Sequence, residues 1–246
     1  MFKSIFLIMM FSGYLFANST TILSAANLKF FFSDIVKEYN KLYPKDKIKV
    51  CFDSSGNIAK DIIAGKKYDL FLAANMEYPQ KVYDAKKSAI LPKLYTTGSI
   101  ILLIATHKGL KDKGVYILKD KNIKEITIAN KKTAPYGMAA IESLKSAKLY
   151  DKLESKIFYS TDASNIIGDV LWYGHAGILP KSAVNFLPRG YNIEGENWID
   201  IDQNLYTPLN QGYTISKEGM KNNVTQRFIE FLLNDGQKIL KQNGYK

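Results

Sequence analysis

The chain has little sulfur and almost no imidazole. Its 246 residues include one cysteine, Cys51, and two histidines, His107 and His175. One cysteine excludes an internal disulfide framework. Two histidines, with no cysteine or acidic partner at ligand spacing, exclude a structural metal site of the usual kind. No Gly-x-x-x-x-Gly-Lys-Ser/Thr loop occurs, and neither Gly-x-Ser-x-Gly nor Ser-x-x-Lys is present. Beyond the first residues no apolar run is long enough to span a bilayer. Low-complexity linkers and internal repeats are absent too, so the chain reads as continuous folded matter. Cys51, within a strand-like run, is expected to be a buried apolar residue. Trp172 and Trp198 are expected to serve packing.

What is present begins with Lys3, the run Ile5–Phe11 and a small residue at Ala17 before a polar segment. That is the form of a secretory signal peptide, with a cut near Ala17. Export would leave about 229 residues, enough for one large domain or two smaller ones. The formal charge of +11 falls to about +10 when Lys3 leaves with the signal. The lysines are spread along the chain in isolated pairs such as Lys66-Lys67 and Lys131-Lys132. Without an interleaved run of arginines and aromatics, they describe a solvated surface with general attraction for anions, not a nucleic-acid interface.

Strand-like and helix-like segments alternate throughout. Ile48–Phe52 is β-branched and aromatic; Ile58, Ala59, Ile62 and Ile63 follow at helical spacing. Leu28–Tyr43 carries a helical stripe, and Val224–Leu240 reads as one closing amphipathic helix. Tyr95–Ala105 is a long extended run, with Gly98 marking a bend or a crossing between lobes. This alternation is the pattern of an α/β fold with mostly parallel strands. Ligands of such sheets bind beyond the carboxyl ends of the strands.

Four strand-to-helix turns share one chemistry: Ser24–Asn27, Asp53–Gly56, Ala134–Gly137 and Thr161–Asn165. Each offers small residues, hydroxyls or amides, and the unpaired N–H groups of a helix start. None is built on Lys, Arg or His. Converging on one cleft, they would bind a dehydrated oxyanion through neutral donors and helix dipoles. Taken singly, each is as well explained by an ordinary helix cap, Ser54 or Ser55 being one. The residues alone leave both readings open.

Four blocks in order decide between them: Leu23-Ser24-Ala25-Ala26-Asn27-Leu28, Phe52-Asp53-Ser54-Ser55-Gly56-Asn57-Ile58-Ala59, Ala64 through Ala74, and Ala134-Pro135-Tyr136-Gly137-Met138-Ala139-Ala140. The chain resembles the periplasmic molybdate-binding proteins of molybdate ABC importers over nearly all of its mature length. The resemblance implies a two-lobed, type II binding protein, each lobe a mixed, mostly parallel sheet flanked by helices. It implies molybdate or tungstate as ligand, no cofactor, no enzymatic activity and no nucleic acid. It implies a periplasmic monomer that delivers its anion to an ABC permease in the inner membrane. Asn27, Ser55, Tyr136 and Ala163 fall on the oxyanion-binding positions, the last two through backbone N–H groups, with Ala26 and Ser54 flanking. The metal is met only as its oxyanion, by the same four residues. Some members add a tyrosine hydroxyl where this chain has Pro180, which has neither hydroxyl nor N–H; Asn27 then stands in its place. The expected division is 1–17 signal, 18–97 plus 206–246 as lobe 1, and 98–205 as lobe 2. Two other readings stand beside this: a binding protein for sulfate or phosphate, and an exported hydrolase with Ser55 as nucleophile, which would need a base nearby.

Overall fold

The computed structural model describes residues 19–105, 110–160 and 163–246, without the side chains of 163 and 164. The expected signal segment, His107 and the start of the fourth turn lie outside the described residues. In the first half, β1 (Ser19–Ala25), α1 (Phe32–Leu42), β2 (Lys47–Asp53), α2 (Ser55–Ile63), β3 (Leu70–Leu72), α3 (Glu77–Asp84) and β4 (Lys93–Gly98) follow one another. Then come β5 (Ile100–Ile104), α4 (Leu110–Lys113), β6 (Ile126–Ala129), α5 (Pro135–Ser146), α6 (Tyr150–Leu153), β7 (Ile157–Ser160), α7 (Ala163–Tyr173), β8 (Ala176–Pro180) and β9 (Trp198–Asp200). The chain ends with β10 (Leu209–Ile215), α8 (Lys217–Lys221), α9 (Asn223–Leu233) and α10 (Gly236–Gln242).

The strands form two sheets of the same plan, ordered β2-β1-β3-β10-β4 and β7-β6-β8-β5-β9. In each, three neighbours are parallel and the fourth strand in the order runs against them. The expected α/β fold with mixed, mostly parallel sheets is therefore observed. A single residue, Ser99, separates β4 of one sheet from β5 of the other, so the Gly98 bend is a passage between sheets. The return passage lies between β9 and β10.

Alternation along the strands puts a core on each face. Ile22, Leu70 and Leu72 face α1, α9 and α10, while Leu23 and Phe71 face α2 and α3. In the second sheet Ile100, Leu102 and Ile104 pack under α5, and Ile101 and Leu103 under α7. Each such side chain, fully buried, contributes about 1.5–3 kcal/mol. The outer strands β2 and β7 depart from this, with Phe158 and Tyr159 exposed on β7. On β2 the pattern is polar: Lys47, Lys49 and Cys51 are exposed, and the lysines guard an open sheet edge. Cys51 is thus on the surface, not buried, because it lies on the unpacked face of an edge strand. Trp172 is 84 % exposed on α7, not packed in the core, whereas Trp198 is buried with the Lys181 ammonium over its ring.

Two expected helices are interrupted. A short 3-10 turn, Ala26–Leu28, precedes α1, which starts only at Phe32. The closing helix breaks at Asn234, whose φ of −114° and ψ of −93° leave the helical region. Arg227 on α9 is tied to the loop after α1: its Nε and Nη2 donate to Asp46 at 2.8–3.0 Å, and Tyr39 Oη donates to the same carboxylate at 2.6 Å. Arg227→Ala is expected to cost about 2 kcal/mol, the loss of hydrogen bonds to a charged group that is otherwise buried. Denaturant titration should show a lowered midpoint with an unchanged slope.

Candidate functional site

The pairing register brings the turns together. Ala25 pairs with Asp53, so the turns after the parallel strands β1 and β2 lie side by side, and Asn27 and Ser55 each come two residues past that pair. Ala129 pairs with Ser160 in the same way, setting the carboxyl ends of β6 and β7 side by side. The two sets meet: Gly56 N–H donates to Thr133 O at 2.9 Å, and Tyr78 Oη to Lys132 O at 3.1 Å. The helix starts of one sheet therefore touch those of the other.

In the second turn the two serines divide the work. Ser54 caps α2, its Oγ accepting from Asn57 N at 3.3 Å. Ser55 is fully buried, and its Oγ accepts from Ala74 N at 2.9 Å, which leaves its O–H to donate elsewhere. The Ser54 N–H is held by Asp53 Oδ1 at 2.6 Å. Of the first-turn donors, the N–H of Ser55 has no acceptor among the described residues.

In the third turn α5 opens at Pro135, two residues before Gly137. Proline suits the first helical position, where its fixed φ is already helical and no N–H is needed. Gly137 lets the helix start against the end of β6, since a Cβ there would run into the Ala129 carbonyl. The N–H groups of Tyr136 and Gly137 have no acceptor among the described residues, and the Thr133 carbonyl accepts from Gly56 instead. Ala163 is the first residue of α7; its side chain lies outside the described residues.

Asn27 is 3 % exposed, and beside it Ala26 is half-buried. Its Nδ2 donates to Gln211 Oε1 at 3.1 Å and to Tyr245 Oη at 2.8 Å, while its Oδ1 is buried with no partner among the described residues. Gln211 Oε1 also accepts from Tyr95 Oη at 2.7 Å, and Gln211 Nε2 donates to Tyr136 Oη at 2.8 Å. Ser182 Oγ donates to Asn27 O at 3.0 Å. Burial pushes the hydroxyls of Tyr95, Tyr136 and Tyr245 up, so all three keep their protons. Asn27 and Tyr136, both expected site residues, are thus joined through Gln211, while Ser55 sits apart from that network. Gln211, Tyr245, Tyr95 and Ser182 were not foreseen. They come from four distant segments, and nothing local in the sequence marks them.

Two α/β lobes of one plan, joined by two crossings and meeting at the helix starts beyond their parallel strands, define a type II solute-binding protein. The chain belongs to the bacterial extracellular solute-binding protein family, which matches over residues 20–246. It is 25% identical over 221 residues to the molybdate-binding protein ModA of Rhodobacter capsulatus, covering 87% of this chain and 84% of that one. The fold is that of the periplasmic molybdate-binding protein of Azotobacter vinelandii, with a TM-score of 0.82 at 20% identity over 92% of this chain and 98% of that one. It also follows the sulfate-binding protein SubI of Mycobacterium tuberculosis, with a TM-score of 0.71 at 11% identity, over 92% and 86% of the two chains.

Proposed function

We propose that this protein captures molybdate between its lobes and delivers it to an ABC permease, with tungstate, of nearly the same size and charge, as a second ligand. The observation that carries this reading is the set of neutral donors at the meeting helix starts. They are the N–H groups of Ser55, Tyr136 and Gly137 and the Ser55 hydroxyl; the Asn27 amide joins them once its Nδ2 is freed from Gln211 and Tyr245. The relatives named for molybdate support it. In this reading Asn27, Ser55, Tyr136 and Ala163 hold the anion, and Ala26 and Ser54 shape the turns around it. Lobe 1 is 18–97 with 206–246, lobe 2 is 98–205, and a monomer acts in the periplasm after cleavage near Ala17. Elemental mass spectrometry of the purified protein, followed by calorimetry with molybdate, tests it. Absence of molybdenum and tungsten together with silent titrations would sink it.

One observation favours a second ligand class. The unpaired Asn27 Oδ1 is an acceptor, and an acceptor suits a protonated oxyanion such as hydrogen phosphate. The hydrolase reading has no such support. The Ser55 Oγ is engaged by the Ala74 N–H, and no histidine or carboxylate is among its hydrogen-bond partners in the described residues.

Closure supplies a separate test. A Cβ on Gly56 would lie 2.9 Å from Thr133 Cα and O and from Tyr78 Cζ, closer than side chains pack. Gly56→Ala is expected to hold the lobes slightly apart and weaken molybdate about tenfold, or about 1.4 kcal/mol. Alanine is the better helix former, so stability should hold or rise. Calorimetry and thermal melts together separate the two effects; a loss of stability in step with affinity would contradict the closure argument.

A further inference from the structure

The Asn27 amide is turned the wrong way for the anion that the proposed function assigns to it. Both Nδ2 protons are spent on Gln211 Oε1 and Tyr245 Oη, and the unpartnered atom is the oxygen. An amide can satisfy the same neighbours after a half-turn only if they too can exchange donor and acceptor roles. Here each of them can. Gln211, turned over, would present Nε2 to Asn27 Oδ1 and to Tyr95 Oη, and Oε1 to Tyr136 Oη. Tyr95 has a second acceptor waiting, Ala73 O at 3.3 Å. Tyr245 Oη lies 3.3 Å from Ser182 Oγ, which can take either role, and it faces the Tyr136 hydroxyl as well. Every hydroxyl in the network is neutral, so each carries one proton to give and lone pairs to receive.

We infer that Gln211 and Tyr245 are positioning residues that decide which end of the Asn27 amide meets the anion, and that the Asn27–Gln211 pair turns over together when the anion binds. The inference rests on the proposed function, in which Asn27 is a ligand. In the observed sense Oδ1 stays unpaired. In the reversed sense Asn27 Oδ1 accepts from Gln211 and Tyr245, and Nδ2 is released to donate to the anion. Tyr136 donates to Gln211 Oε1 instead of accepting from Nε2, so the tie between the lobes through Gln211 and Tyr136 is kept in both senses. The network therefore works as a two-position element. A bare anion holds it in one position, and a ligand bearing its own proton is accommodated by the other.

The test reads the side-chain amides of the intact protein by 1H–15N spectroscopy and binding by calorimetry, with molybdate and inorganic phosphate as probes. Saturating molybdate is expected to move the Gln211 amide peaks together with those of Asn27, although Gln211 is not an expected ligand. Gln211→Glu offers only acceptors to Asn27 and Tyr136 and holds Nδ2 away from the anion. It is expected to weaken molybdate at least a hundredfold and to narrow the molybdate-to-phosphate ratio at least tenfold. Equal losses for both anions would reduce Gln211 to packing or charge and overturn the inference. So would a Gln211 signal unmoved by saturating molybdate in the unaltered protein, a readout that needs no variant to fold. If the unaltered protein binds no molybdate, the proposed function falls, and this inference with it. That outcome is distinct from a protein that binds molybdate with its Gln211 still.

Discussion

Asn27→Asp is expected to abolish molybdate binding at neutral pH, by a factor of at least a thousand, or about 4 kcal/mol. The position is 3 % exposed, so a carboxylate there would meet a dianion with little water between them. Two unit charges of one sign 4 Å apart repel by about 4 kcal/mol at the effective dielectric of a protein site, and the anion carries two. The new oxygen would also stand where Nδ2 now donates to Gln211 Oε1 at 3.1 Å, exchanging a hydrogen bond for a contact between acceptors. Relief comes only by protonating the aspartate, so any residual binding should take up a proton and strengthen as the pH falls. Ser55→Ala is the calibrating partner. It removes one hydroxyl donor to a charged ligand and leaves the buried Ala74 N–H without its acceptor, a loss of about 1–3 kcal/mol without pH dependence. Calorimetry on both variants decides. Unchanged affinity in Asn27→Asp would remove the first turn from the site.

Sulfate and phosphate are expected to bind at least a thousandfold more weakly than molybdate, about 4 kcal/mol. The two are rejected for different reasons. Phosphate still carries a proton at neutral pH. With the amide network turned toward the anion, that proton would press on donors, and a buried unmatched donor costs roughly 1–3 kcal/mol. Sulfate is fully ionised and passes this filter, so size must exclude it. The donors sit on α2 and α5, whose starts are pinned to each other by the Gly56–Thr133 hydrogen bond. They cannot all follow a smaller anion inward, and hydrogen bonds weaken steeply beyond about 3.2 Å. Competition calorimetry measures the ratio. Sulfate within tenfold of molybdate would end the size argument.

Much of this was legible from residue order. The turns after β1, β2 and β6 announced themselves because strand-forming runs give way there to small and capping residues, and local chemistry sets a helix start. The passage at Gly98 was visible because a glycine interrupts an otherwise strand-forming run. What escaped notice is set by distance. Gln211 reads as a polar residue in an ordinary strand, and Tyr245 as an aromatic near the last residue. Only the fold brings both to Asn27. Cys51 and Trp172 were misread because their burial depends on which strand is outermost and which helix face is left uncovered, facts that no local pattern carries. The closing helix read as continuous because its apolar stripe passes over the break at Asn234, and the turn-forming Asn234-Asp235-Gly236 within it was given too little weight.

The single residue between β4 and β5 bears on the order in which the molecule is made. Everything in the second sheet, β5 to β9, lies in one unbroken stretch of chain. The first sheet is interrupted by that whole stretch: β10 sits between β3 and β4 and pairs with both. A chain emerging from its amino end can therefore close the middle lobe on its own contacts, while the first lobe waits with β3 and β4 apart. Pairings across so long a separation are entropically late, and an open sheet edge is exposed meanwhile. The unit that begins the sequence is thus the one completed last, and the outward-facing lysines of β2 guard it on its other flank during that wait.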